Sequence, residues 1–370
     1  MKKIYRILLI FAFSIVFLGA HILVYKTIQN AFSISDIDTL YMMKMIMAIL
    51  TFSFFVSIAI AKRVNTLVTR IIYVALAVWI GLLFHLLMTS VYYWGISLIF
   101  QEQSQHLGII LFYLSVAVTL YGLIQAWTLR VTPYTLNLKN LPDFWKGKRI
   151  AFISDLHLGQ VHKAKLSRKV VSRLNRLKPE LLLIGGDLYD GVAVDENAVI
   201  APFKDIRAPL GTYFVTGNHE EYGDEKAYEQ AIRNIGIRIL NNELVTLEGL
   251  QIIGVNYHDT NSSESLRDVI NTISFDLDRP SVLVKHVPSH LNVTEEAGID
   301  IQLSGHTHDG QMFPLGLIGS MLDNGYVYGL RMFEKMQILI SSGVGSWGPP
   351  VRVGTRSEIV LITLENEDNK

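Results

Sequence analysis

Cysteine is absent from the 370 residues of this chain. That absence excludes a disulfide framework, a thiolate metal site and a cysteine nucleophile, and it allows a reducing compartment. Charge is scarce over residues 1–130, which hold nine basic and three acidic side chains. The whole chain is formally neutral, so residues 131–370 carry a net excess of six acidic charges. A half of that sign is poorly matched to a phosphate backbone, so no nucleic-acid partner is expected. No internal repeat is visible, and the only low-complexity piece is the polar tail 365–370, expected to fray.

What is present in the first third is apolar length. Ile4 to Tyr25, Tyr41 to Ala61, Ile71 to Tyr93 and Leu107 to Leu129 are nearly uncharged stretches, each close to the ~20 residues a helix needs to cross a bilayer. They are expected to form a region of four transmembrane helices over residues 1–130. Lys2, Lys3 and Arg6 before the first run give it the look of a secretory leader, yet the run is longer than a leader's apolar segment and three more follow. An uncleaved anchor is the expectation. Basic residues flank the chain's start, the Lys62 to Arg70 loop and the segment after Arg130, whereas Gln101 to His106 has none. The positive-inside rule then places both termini, and the catalytic domain, in the cytoplasm of a multi-pass cell-membrane protein. His21 and His85 fall within these spans, where an ionisable group is either functional or a neutral partner to a neighbouring helix.

Residues 131–148 hold Pro133, Pro142 and the Trp145-Lys146-Gly147-Lys148 run, and are expected as a juxtamembrane linker with an edge strand at Tyr134 to Leu138. Beyond it short apolar runs recur: Arg149 to Ile153, Leu181 to Ile184, Thr212 to Val215, Leu250 to Val255, Ser281 to Val284, Ile299 to Leu303, Gln337 to Ser341 and Ile359 to Leu364. Their length predicts buried strands. Amphipathic helices fit Lys163 to Leu177, Glu225 to Ile235 and Ser263 to Ile273, so residues 149–364 are expected as an α/β layered domain.

Five of those runs end in residues that can ligate metal. Asp155-Leu156-His157, Gly185-Gly186-Asp187, Gly217-Asn218-His219-Glu220, His286 and Gly305-His306-Thr307-His308 follow in order. Carboxylates, an amide oxygen and neutral imidazoles converging from successive strand ends are what two cations in a hydrolytic site require. Singly, each element is weak: an aspartate after a strand is usually a cap or turn residue, and a lone histidine is usually packed or on the surface. Their joint occurrence at one rim, where α/β sheets place their sites, is the informative feature.

Together these blocks resemble the calcineurin-like metallophosphoesterases, over roughly residues 149 to 364. Nearest in style is the membrane-associated branch of YkuE-like and YaeI-like proteins, some of which resemble UDP-2,3-diacylglucosamine pyrophosphatases. The resemblance implies a four-layer αββα sandwich with two divalent metals at the strand ends. It implies that Asp155, His157 and His308 hold the first metal and that Asn218, His286 and His306 hold the second, with Asp187 bridging them. It implies that His219 acts as the proton donor to the leaving oxygen while metal-bound hydroxide attacks a phosphodiester or pyrophosphate. Imidazole-rich ligation suits Mn, Fe or Zn better than Mg or Ca. Gly310-Gln311 continues the family's pattern, whereas Asp309 stands where a second glycine is common and would narrow the substrate mouth.

The expected substrate is a phosphoester, lipid-linked by preference because four helices exceed what a tether requires. Soluble nucleotides are the first alternative, and a catalytically inactive membrane scaffold or sensor is the second; protein partners are not indicated. Between Asp155 and Glu180 there is no acidic residue, while Lys163, Lys165, Arg168, Lys169, Arg173, Arg176 and Lys178 line one helix, either an ordinary solvated face or a surface for anionic lipid heads. Met312 to Leu322, too glycine-rich for a regular helix, is expected either to pack under the sandwich or to form an apolar lip beside the metals. Asp190, Asn256, His258 and Arg352 are candidate supports of the site or contacts to phosphate.

Overall fold

The computed structural model of the chain describes residues 2–100 and 104–367, with side chains from residue 12 onward except that of residue 13. Two compact units emerge, Met1–Ile124 together with Gly348–Val351, and Gln125–Trp347 together with Arg352–Lys370.

The first unit contains α1 (Lys2–Ala31), α2 (Ile37–Ala61), α3 (Leu67–Phe100) and α4 (Gln105–Ala126). Asp36 caps α2 by accepting the Thr39 backbone N–H at 2.9 Å. Tyr41, Met45, Ile49, Phe52 and Val56 of α2 all point outward, an arrangement that water penalises and lipid does not. Among the described residues three helices, α2, α3 and α4, are long and apolar enough to cross a membrane, rather than the four expected. The expected first span lies within α1, whose first ten side chains fall outside the described residues. The last span ends at Ala126 instead of Leu129, because Leu129 already packs against the core of the second unit. His21 Nδ1 donates to the Phe17 carbonyl and its Nε2 accepts from Trp79 Nε1 at 3.1 Å, tying α1 to α3. His85 Nδ1 meets Thr119 Oγ1 at 2.9 Å and ties α3 to α4. Both are thus bonded to neighbouring helices.

In the second unit β1 (Arg130–Leu138), β2 (Arg149–Ile153), α5 (Ala164–Leu177), β3 (Leu181–Gly185), α6 (Glu196–Ile200) and β4 (Thr212–Val215) come first. They are followed by α7 (Asn218–Tyr222), α8 (Glu225–Asn234), β5 (Arg238–Ile239), β6 (Glu243–Leu247), β7 (Leu250–Gly254) and α9 (Ser263–Thr272). The remainder is β8 (Ser281–Val284), α10 (Leu291–Glu296), β9 (Ile301–Ser304), α11 (Leu315–Leu322), β10 (Gly329–Phe333), β11 (Met336–Ile340) and β12 (Glu358–Asn366). Two six-stranded sheets result, ordered β1-β12-β2-β3-β4-β5 and β10-β11-β9-β8-β7-β6.

Strand periodicity sorts the side chains into three cores. Ile150 and Phe152 of β2, with Leu181 and Leu183 of β3, share one core with Leu250, Ile252, Val282, Val284, Ile301 and Leu303 from the other sheet. The alternate residues Ala151, Ile153, Leu182 and Ile184 join Leu166, Val170 and Leu174 of α5. On the far side of the second sheet, Ile253, Leu283, Ile338 and Ile340 meet Leu266 and Ile270 of α9. Burial on both faces explains why these strands are unbroken apolar runs. The register sets Phe152 beside Leu183 and Val360, so β2 and β3 end together where the antiparallel β12 begins.

Two expectations are extended and one is corrected. The expected edge strand is present and longer, a nine-residue strand over residues 130–138 paired in parallel with β12. β12 runs past 364 to Asn366, and the Glu367 N–H reaches the Leu138 carbonyl at 3.0 Å, while the rest of the polar tail lies outside the described residues. Residues 315–322 do form a helix, α11, despite Gly316 and Gly319.

Candidate metal centre

Each ligand candidate is delivered by the turn that follows a strand. The backbone N–H of Asp155, just after β2, donates to Gly186 at 3.0 Å, and that of His157 donates to Asp187 at 3.1 Å. The two loops after β2 and β3 are thereby zipped together. Asp155, His157, Asp187, His306 and His308 all have φ between 49° and 72°. Non-glycine residues avoid that left-handed region, and clusters of them are typical where backbone strain holds functional side chains in place. Gly217 leaves the room this requires, since a methyl there would overlap the Asp187 carboxylate.

The structure brings all seven candidate ligands and His219 to this rim. Three groups have ligand atoms mutually within 4.8 Å: Asp155, His157 and His308; His157, Asp187 and His219; Asp187, His286 and His306. Asp187 belongs to two of them. Its Oδ2 lies 3.1 Å from His286 Nε2 and 3.9 Å from His157 Nε2. His157 Nε2 and His308 Nε2 face each other at 3.0 Å, and His308 Nε2 is 3.5 Å from Asp155 Oδ1. Asn218, the first residue of α7, brings a buried Oδ1 that has no hydrogen-bond partner among the described residues. His219 is expected just outside the metals, and its geometry places it close enough to group with His157 and Asp187.

These residues fit divalent metal. His286 Nδ1 donates to the Gly185 carbonyl at 2.7 Å, which leaves Nε2 as an acceptor aimed at the Asp187 carboxylate. Two lone-pair atoms at that distance need a cation or a proton between them. In the protein alone, burial lowers the affinity of His286 for a proton, but the adjoining Asp187 and Asp155 carboxylates outweigh burial and raise its pKa to about 9. Burial raises Asp187, yet His286 and His157 hold it below the usual carboxylate range. His306 falls to about 4, through burial and the neighbouring His286, and His308 falls well below its ordinary value through burial, His157 and Arg352. Carboxylate, amide and neutral imidazole donors of this kind suit Mn, Fe or Zn.

A supporting layer orients the rim. Glu220, part of the motif but given no role by sequence reasoning, is fully buried and accepts four backbone N–H groups. They come from Gly217 (2.7 Å), Leu188 (2.9 Å), Asp187 (3.0 Å) and Tyr189 (3.1 Å). Burial and the Asp187 charge push its carboxyl up to about 7. The Asp190 carbonyl accepts from His219 Nδ1 at 3.1 Å, and Asp190 Oδ1 lies 3.2 Å from His157 Nδ1. Arg352 is buried, donates to the Ser342 and Gly345 carbonyls, and places Nη2 3.2 Å from His308 Nδ1. Asp190 and Arg352 therefore brace the rim. Asn256 and His258 do not join it: Asn256 bonds Asp259, and His258 is exposed beside Glu221. Asp309 is not among the residues lining the cleft; it packs behind Gly316, which does line it.

Residues 148–310 match the family model described as calcineurin-like phosphoesterase. An uncharacterised metallophosphoesterase of Aquifex aeolicus is 30% identical over 272 residues, which is 70% of this chain and 100% of that protein. The chain belongs to the calcineurin-like metallophosphoesterase family. Among other metallophosphoesterases it is similar to YkuE of Bacillus subtilis, 28% identical over 64% of this chain and 86% of that one. It is also similar to a Danio rerio transmembrane protein with metallophosphoesterase domain, 29% identical over 68% of this chain and 61% of that protein. The match spans about three fifths of the length of its Helicobacter pylori and Campylobacter jejuni relatives.

Proposed function

We propose that this metallophosphoesterase is a membrane-anchored hydrolase of phosphodiester or pyrophosphate bonds, built on a four-layer αββα sandwich with two divalent metals. The three cores, one between the sheets and one outside each, support the layer count. The observation that carries the reading is that the Asp187 carboxylate groups with His157 on one side, at 3.9 Å, and with His286 and His306 on the other. Asp155, His157 and His308 would hold one ion, Asn218, His286 and His306 the other, with Asp187 shared. Bound there, divalent cations supply Lewis acidity toward phosphoryl oxygens and lower the pKa of a water.

The chain's own residues supply the rest. His219 lines the cleft with its Nδ1 fixed on the Asp190 carbonyl, so Nε2 is the atom that delivers a proton to the leaving oxygen. Burial and His157 lower its proton affinity, and the Asp187 and Asp190 carboxylates offset that only in part, so in the protein alone its pKa lies below that of an ordinary histidine. The backbone N–H of His219 holds Asp187 Oδ1 at 2.8 Å, coupling the acid to the shared carboxylate.

Membrane anchoring by α2, α3 and α4, the helices apolar enough to cross a bilayer among the described residues, with the catalytic unit in the cytoplasm, is supported by the basic residues that flank these stretches. The exposed basic face of α5, Lys165, Arg168, Lys169 and Arg173 among it, suits an anionic leaflet. A lipid-linked substrate is preferred to a soluble nucleotide because of the apolar wall of the cleft. The test is Mn-dependent release of p-nitrophenol from bis-p-nitrophenyl phosphate by the detergent-purified chain. Turnover is expected, with a loss of ~100- to 10,000-fold in His219→Ala. A metal-loaded protein that releases nothing would move the assignment to the scaffold reading.

A further inference from the structure

The cleft of about 510 Å³ joins the Asp/His cluster to apolar residues. Its wall is shared by His157, Asp187, Asn218, His219, His306 and His308 and by Leu315, Gly316, Gly319, Val327 and Trp347, with Gln311 and Asp323 as polar members and the Trp347 ring 6.4 Å from that of His219. The three α11 residues that reach the cleft carry no polar side chain. Beyond the wall α11 buries none of its residues. Leu317, Met321 and Leu322 are 58%, 84% and 77% exposed, and Phe313 and Trp347 are each 58% exposed. Apolar side chains gathered in this way mark a surface that something apolar covers.

This lip is fastened to the loop that carries the histidines. Gly310 and Gly316 approach backbone to backbone, so that a methyl on Gly310 would overlap the Gly316 amide. Gln311 holds Trp347 twice, donating to its carbonyl at 2.9 Å and accepting its N–H at 2.8 Å. The lip and the Asp/His cluster are therefore fixed relative to each other.

The geometry points to an acyl-chain seat: α11 and Trp347 receive the hydrocarbon chain of a lipid phosphoester whose phosphate lies at the Asp/His cluster. This inference rests on the hydrolase reading above and names its substrate class. A ligand with both a phosphate and a hydrocarbon chain matches both kinds of lining, and a polar base would leave its hydrogen-bonding groups unmatched against the side chains that α11 contributes. Among the described residues three helices are apolar enough to span a bilayer, so lipid is a phase this protein meets.

The experiment uses the full chain in mixed micelles with Mn and a series of p-nitrophenyl alkyl phosphodiesters carrying butyl, octyl and dodecyl chains. A seat that buries even part of the added methylenes raises kcat/KM at least about tenfold from butyl to dodecyl, chiefly through KM. The double variant Leu317→Gln/Met321→Gln should lose most of that climb. Both side chains are exposed, so their replacement empties no core, and the variant keeps the spanning helices, which controls for partition of the longer esters into the micelle. Turnover of the butyl ester with a flat series, or a climb untouched by the double variant, would overturn the seat and leave the hydrolase reading standing. No turnover of any ester would overturn both.

Discussion

The substitution Glu220→Gln isolates the most consequential support of the site. Glu220 Oε1 accepts the N–H groups of Leu188 and Tyr189, and its Oε2 accepts those of Asp187 and Gly217. The glutamine side chain is nearly isosteric, yet whichever way its amide turned, an NH2 would confront two of the four donors. Each buried donor left without an acceptor costs about 1–3 kcal/mol, so the pair costs about 2–6 kcal/mol. For a unit of this size each kcal/mol lowers Tm by roughly 2–4 °C, which predicts a fall of at least about 4 °C. Tryptophan fluorescence of the detergent-purified chain is a suitable readout, because Trp145 is buried in the core between the sheets. The Asp187 N–H is one of the four donors, so Mn affinity should fall with stability. Melting within about 1 °C of the parent chain, with unchanged Mn binding, would refute the claim that Glu220 holds the turn bearing the shared carboxylate.

The other predictions probe separate parts of the structure. His286→Ala removes the donor facing Asp187 and should lower bound Mn from two ions to one per chain by elemental analysis, while turnover falls by at least about 100-fold. Stripping the metal with a chelator should lower the melting temperature, since an ion held at 100 times its Kd contributes about 2.7 kcal/mol to the folded state; calorimetry with and without Mn reads this directly. Gly310→Ala, which forces a methyl into Gly316, should displace the lip and impair turnover of a dodecyl ester more than its butyl counterpart. Because the chain has no cysteine, single cysteines report topology cleanly. A cysteine at Ser35 should react with an impermeant maleimide on intact cells and one at Thr66 should not, if the catalytic unit is cytoplasmic.

Much of the second unit is legible in the sequence for one physical reason. Strands such as Leu181–Gly185 and Ser281–Val284 are buried on both faces, so every residue is apolar or small and the run announces itself. The strands that the sequence hides lack that signature: β5 has two residues, β6 is half-exposed, and β10 places Arg331 and Met332 in water. Helix α11 is hidden because glycine argues against a helix, whereas here Gly316 lets it lie against the ligand loop. The ligand candidates are legible because metal chemistry restricts residue type at strand ends. Their left-handed backbones and the four donors gathered by Glu220 are not, since a motif names residues without saying which backbone groups they hold. Asp190 and Arg352 lie outside the motifs, and only the folded rim shows that they brace His157, His219 and His308.

The central claim is that Asp187 sits between two metal ions. Anomalous diffraction from Mn-loaded crystals of the full chain, collected above and below the Mn edge, tests it most directly. Two peaks per chain are predicted, one beside Asp155, His157 and His308 and one beside Asn218, His286 and His306, with the Asp187 carboxylate reaching both. A single peak, or peaks that leave Asp187 without a metal, would contradict the account.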